Sequence, residues 1–299
     1  MREERIKTFT KGVFKIFMLF FALFLSFMLK PGTAYAAKTE YVEAKTYEYT
    51  TVNSAKIKIQ SGSSSNYTIY FIKNGKTYTK SVTSSSTVPS AVTNGTTVYY
   101  KAGFSGALYK WSPASDKTEK IGTVKVGNEG SFLVGGYGNN LYYSCMTEDY
   151  EAAQDLYVYS LKTKKSTRIR KWAFYVGVSG KYVILEGSHG DPSPTPMYVY
   201  NTSTKKNKKL VSKQLGGTTV SGNWIYYAKV TKSDLSTGIY TFKVQGYNLK
   251  TGKTKTFAAG LKGYYCSEIT NKYIIFNKAG SGYSYKYTYA TKKYTRYNG

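Results

Sequence analysis

Short apolar and aromatic runs recur along this chain at a steady interval, separated by Gly, Asn, Ser, Thr and Lys. Val98-Tyr99-Tyr100, Leu141-Tyr142-Tyr143, Val183-Ile184-Leu185, Ile225-Tyr226-Tyr227 and Ile274-Ile275-Phe276 start 43, 42, 42 and 49 residues apart. A second register follows each of these runs. Leu156-Tyr157-Val158-Tyr159-Ser160-Leu161-Lys162-Thr163-Lys164-Lys165 returns as Met197-Tyr198-Val199-Tyr200-Asn201-Thr202-Ser203-Thr204-Lys205-Lys206, and in part as Tyr247-Asn248-Leu249-Lys250-Thr251-Gly252-Lys253. Its aromatic positions, Trp111, Tyr159, Tyr200, Tyr247 and Tyr287, lie 48, 41, 47 and 40 apart. A fainter sixth copy begins at Ile57, followed by the hairpin Tyr67–Tyr78 around Asn74-Gly75. That dipeptide favours a two-residue turn with positive φ at both central positions.

A period a little over 40, with short strands in each unit, predicts an all-β, six-bladed β-propeller of four-stranded antiparallel blades. Five blades plus a small N-terminal β segment is the alternative. The second strand of each unit reads apolar without alternation, as a strand covered on both faces does. The fourth carries Lys208, Lys209, Lys253, Lys255 and Arg296, charges that suit an exposed edge. Closure is open, because the last unit already owns a fourth strand, Lys293–Tyr297.

The start of the chain follows different rules. Arg2, Arg5, Lys7, Lys11 and Lys15 precede an apolar run from Ile16 to Leu29, and Ala34-Tyr35-Ala36 closes the segment. This predicts a secretory signal over 1–36, with one propeller domain over 37–299 and no membrane span after cleavage. Without that segment, 37 Lys and Arg face 14 Asp and Glu, a charge of +23. Only Arg168, Arg170 and Arg296 are arginine. Lysine is a hydrated point charge, whereas arginine is the bidentate reader of phosphates, carboxylates and bases, so the balance suits diffuse polyanion attraction over specific nucleic-acid reading.

The expected turns after the third strands gather Lys162, Lys164, Lys165, Lys205, Lys206, Lys208, Lys209, Lys250, Lys253, Lys292 and Lys293 on or beside one face. Lys73, Lys76, Lys117 and Lys255 extend this set. The opposite loops take Glu148, Asp149, Glu151, Asp155, Glu186, Asp191 and Asp234. Solvated turns alone explain the lysines, but less well the acids' avoidance of the same turns.

Catalytic signals are thin. His189 stands in Ser188-His189-Gly190-Asp191, a local cluster, whereas triad members come from separated segments. The run Glu148, Asp149, Glu151, Asp155 lacks calcium-loop spacing, and no zinc spacing occurs, so no metal or cofactor is expected. Glycosidase chemistry needs a converging carboxylate pair; Glu148 with Asp191 or Asp234 is conceivable. Cys145 and Cys266 fall in the third and sixth units, on opposite sides of a six-fold ring, and predict two separate buried thiols rather than a bridge.

On its blade rhythm the chain resembles the six-bladed propellers of the TolB-like group, including exported bacterial domains related to low-density-lipoprotein-receptor-type propellers. The Tyr247–Lys253 turn is similar to quinoprotein-type blades, without their tryptophan docking residues. The resemblance implies a fold and leaves activity open. The expectation is a secreted, wall-associated, non-catalytic binding or scaffold propeller, with an anionic wall polymer or a protein as partner. A polysaccharide hydrolase or lyase using the acidic loops is the runner-up.

Overall fold

A computed structural model describes residues 40–63, 65–84, 87–128, 130–146, 154–187, 194–234 and 236–298. The expected signal over 1–36 lies outside them. The first described strand, β1 (Glu40–Glu43), precedes six antiparallel units. Blade 1 is β2 (Thr50–Val52), β3 (Ala55–Ser61), β4 (Asn66–Lys73) and β5 (Lys76–Thr83). Blade 2 is β6 (Ser90–Thr93), β7 (Val98–Lys101), β8 (Ala107–Ser112) and β9 (Lys117–Thr123). Blade 3 is β10 (Ser131–Tyr137), β11 (Asn140–Met146), β12 (Gln154–Ser160) and β13 (Ser166–Arg170). Blade 4 is β14 (Ala173–Ser179), β15 (Tyr182–Gly187), β16 (Thr195–Asn201) and β17 (Lys206–Gln214). Blade 5 begins with β18 (Thr219–Ser221), β19 (Trp224–Asp234) and β20 (Ile239–Asn248). Its outer strand is the first part of β21 (Thr254–Ile269), whose second part runs on as the inner strand of blade 6. Then β22 (Tyr273–Lys278), β23 (Ser284–Thr288) and β24 (Lys293–Tyr297) complete that blade. The six-bladed reading holds, and Ile57, Val98, Leu141, Val183, Ile225 and Ile274 all lie in second strands.

Packing explains why those strands do not alternate. Leu141 and Tyr143 of β11 enter the core shared with blade 2, while Tyr142 between them enters the core shared with blade 4. Val183 and Leu185 face blade 3, and Ile184 faces blade 5. Successive side chains of a strand point to opposite faces, and here both faces are interior. The recurring third-strand aromatic reaches back to the preceding blade: the Tyr159 hydroxyl donates to Ile121 O at 2.8 Å, and Tyr247 accepts from Lys208 Nζ at 3.2 Å.

Five hydrophobic cores join consecutive blades. Among the described residues, none of these cores joins blade 6 to blade 1. Nor, among the described residues, does an N-terminal strand complete blade 6. Instead β1 inserts between two inner strands, pairing Glu40 with Tyr137 and Tyr41 with Gly136 on β10, then Val42 with Thr93 and Glu43 with Val92 on β6. Blades 2 and 3 thereby become one nine-stranded sheet. The chain continues along blade 1, where Tyr47 N donates to Ile59 O at 2.9 Å.

Cys145 and Cys266 are both free and buried, the first in the core between blades 2 and 3 and the second in that between blades 5 and 6. Burial pushes both thiols up from the ordinary range. They serve as small apolar side chains.

Candidate functional site

In blades 3, 4 and 5 the turns between third and fourth strands share one construction. Ser160 Oγ accepts from Thr163 N at 3.2 Å; Asn201 Oδ1 accepts from Ser203 N at 2.9 Å; Asn248 Oδ1 accepts from Lys250 N and Thr251 N at 3.0 and 2.9 Å. These side chains replace the backbone partners that the turn lacks. In blades 2 to 6 the fifth residue of the turn is left-handed: Asp116 (φ 48), Lys164 (φ 58), Lys205 (φ 56), Gly252 (φ 69) and Lys292 (φ 55). Glycine adopts this conformation without steric cost, whereas a residue with a Cβ does not. Three of the five turns nevertheless carry lysine there.

All eleven lysines of the expected basic face are exposed. Lys162, Lys164, Lys165, Lys205, Lys250, Lys253, Lys292 and Lys293 border the turns, as does Lys206. Lys208 and Lys209 lie further along β17; their ammonium groups sit 5.3 Å above the Tyr247 ring and 6.0 Å above the Tyr198 ring. The ion pairs among the described residues are Lys45–Glu48, Lys80–Asp116 and Arg168–Asp155, so none uses any of the eleven. Blade 2 is the exception on this face. Its turn holds Asp116, which accepts from Trp111 Nε1 at 2.9 Å and faces Lys80 at 3.6 Å.

The acidic loop candidates divide. Glu148, Asp149, Glu151 and Asp191, with His189, lie outside the described residues. Asp155 is buried; one oxygen accepts from Arg168 Nη1 at 3.2 Å and the other from Trp172 N at 3.1 Å, which makes it a structural anchor. Glu186 is raised from the ordinary carboxylate range by burial, against hydrogen bonds with Thr218 and Gln214. Asp234 is spent on its own turn, accepting from Ser236 N and Oγ at 3.1 and 2.7 Å. Among the described residues no group of three or more His, Cys, Asp or Glu side chains could hold a metal ion.

Sequence reasoning missed the acids beside the inner strands. Glu43 keeps contact with solvent but is crowded by protein, which pushes its carboxyl up to about 7 against the pull of Lys45. Glu40 is raised by the same crowding, and both carboxylates help hold the Tyr175 phenol un-ionised, although burial is its main cause. Nothing in Glu40-Tyr41-Val42-Glu43 signals this placement, because the strand is held by backbone pairing.

No family model and no curated protein matches the chain. Among solved structures, an uncharacterized protein from Listeria monocytogenes EGD-e aligns with a TM-score of 0.52 at 11% identity, over 83% of this chain and 79% of that one. The likeness shows a shared fold. A putative TolB from Agrobacterium tumefaciens gives 0.38 at 14% identity, over 68% and 76% of the two chains. One of two prolyl endopeptidases gives 0.43 at 13% identity over 87% of this chain, which spans only 50% of that one.

Proposed function

We propose that this chain is an exported, non-catalytic binding module that holds an anionic wall polymer against its lysine face. The observation that carries the reading is the set of exposed turn lysines in blades 3 to 6, which have no carboxylate partner among the described residues. Concentrated like charge raises the local concentration of a polyanion and speeds encounter, and salt weakens both effects. The three mature arginines are engaged elsewhere: Arg168 pairs with Asp155, Arg170 lies 3.5 Å over the Tyr198 ring, and Arg296 lies 3.4 Å over Tyr283. Attraction therefore rests on lysine and is broad in specificity.

The test is retention of the protein on purified anionic wall polymers at low and high salt. Replacing Lys164, Lys165, Lys205, Lys206, Lys208 and Lys209 together by Gln is expected to abolish low-salt retention while the protein stays folded. Each exposed lysine contributes within roughly 0.5 kcal/mol to stability. Retention that ignores both salt and these substitutions overturns the reading. Binding to a protein but to no polymer does so as well.

A further inference from the structure

The lysine face is not uniform. Between the turns of blades 3 and 4 lies a cleft of about 230 Å³. Lys165 enters its lining from one blade and Lys205 from the next, with Ser160, Thr163, Tyr200 and Thr202 also in the lining; the Thr202 hydroxyl donates to Lys181 O at 3.0 Å. No acidic side chain lines it, and neither ammonium has a partner among the described residues. The corresponding cleft between blades 1 and 2 also holds two lysines, Lys73 and Lys76. There, however, Lys73 Nζ already donates to Gly95 O at 2.6 Å, and Asp116 stands in the neighbouring turn.

We propose that the cleft between blades 3 and 4 is a subsite for one phosphodiester group of a linear polyol- or sugar-phosphate chain, clamped by Lys165 and Lys205. The proposal rests on the reading of the lysine face as a polyanion-binding surface and names the chemistry it selects. Three features point to phosphate. Lysine serves phosphate as a point charge, and two lysines from adjacent blades line this cleft with no acidic side chain between them. The hydroxyl-bearing Ser160, Thr163 and Tyr200 line the same cleft, and the two non-bridging oxygens of a phosphodiester, which share one negative charge, accept several donors at once. The volume falls below the roughly 300–1,000 Å³ of sites that enclose a small molecule, so it suits one unit of a longer chain. Nucleic acid fits less well, because Tyr200, the ring in the lining, is buried at 7% exposure and offers no free face to a base.

The backbone supplies an independent argument. Lys205 lines the cleft from a left-handed position that Gly252 fills without strain in blade 5. Lys164 and Lys292 hold the same costly conformation without lining this cleft, so what is particular to Lys205 is the pairing of a left-handed backbone with a place in the lining.

The experiment titrates the full protein with poly(glycerol phosphate), polygalacturonate of matched charge and single-stranded DNA at one fixed salt concentration. The Lys165→Gln/Lys205→Gln variant is compared with Lys250→Gln/Lys253→Gln, which removes equal charge from the blade 5 turn. Expected are tightest binding to poly(glycerol phosphate) and a loss of about 25-fold in the cleft variant, at roughly fivefold per lysine. The blade 5 variant should lose about threefold or less. Lys205→Gly should weaken binding while its unfolding midpoint stays the same or rises. Equal losses in the two double variants, or equal binding of polygalacturonate or DNA, overturn the subsite and leave the polyanion reading standing. A falling midpoint in Lys205→Gly overturns the backbone argument. Absence of binding by the unmodified protein to all three polymers overturns subsite and face together.

Discussion

Blade 3 meets blade 2 across twelve buried side chains and is stitched to it by β1, whereas blade 6 ends on β24, every residue of which is exposed. Both blades have four antiparallel strands and a lysine turn. They differ in how many of their faces are covered. Blade 3 has apolar cores on both sides, and blade 6 has one, against blade 5. Tyr294 and Tyr297 on β24, and Tyr283 just before β23, stay exposed, with Arg296 over Tyr283 and Lys278 over Tyr294. Tyrosine tolerates this position because its hydroxyl can remain wet while the ring covers strand surface. A blade's strands are thus specified locally, while its stability is conferred by its neighbours.

The largest test of that contrast is a pair of truncations. Leu141→Ala empties a fully buried site between blades 2 and 3 and should cost about 2–5 kcal/mol in denaturant titration. Tyr297→Ala on β24 should cost less than about 0.5 kcal/mol. Comparable losses would mean that blade 6 is covered as fully as blade 3.

Cysteine labelling asks the same question without mutation. Both thiols are buried, so alkylation of the native protein requires opening, and regions with fewer buried contacts open at lower free energy. Cys266, in blade 6, should therefore react before Cys145, with both labelled at once in denaturant. Mass spectrometry resolving the two peptides over time checks this, and Cys145 reacting first would reverse the assigned order of stability.

The smallest expected effect comes from β1. Crowding disfavours the charge of the Glu43 carboxyl and pushes it up to about 7 from its ordinary value of 4.5. Between those values the folded state binds more protons than the unfolded one, so stability falls as pH rises from about 4.5 to 7 and then levels. Solvent contact at Glu43 moderates the slope. Glu43→Gln should flatten that part of the melting profile; an unchanged slope would place its origin elsewhere, Glu186 and Glu40 being the next groups to examine.

Much of this organisation is legible in the sequence, and the reason is repetition. Leu141-Tyr142-Tyr143 and its counterparts give the period, and their lack of alternation gives covering on both faces. The turn lysines could be placed because a turn is fixed by its own residues. The left-handed lysines were within reach as well: aligning Thr251-Gly252-Lys253 with Thr163-Lys164-Lys165 sets Lys164 opposite a glycine. The destination of β1 was not. Its partners Tyr137 and Thr93 lie far along the chain, and the bonds join backbone groups that every residue carries. Clefts between turns are hidden for a related reason, since Lys165 and Lys205 become neighbours only once two blades have docked.

The stitch made by β1 also fixes an order of events. A chain made from its N-terminus delivers Glu40–Glu43 before Val92 and Thr93, and long before Gly136 and Tyr137. Each blade's own hairpins close short loops and form quickly, whereas distant pairings wait on the entropy of bringing remote segments together. The earliest described strand is therefore the last to find both of its partners. Until blade 3 is complete, blades 1 and 2 are joined by their shared side-chain core and β1 holds at most one of its two partners. When β1 docks, opening blade 2 and opening blade 3 become a single event.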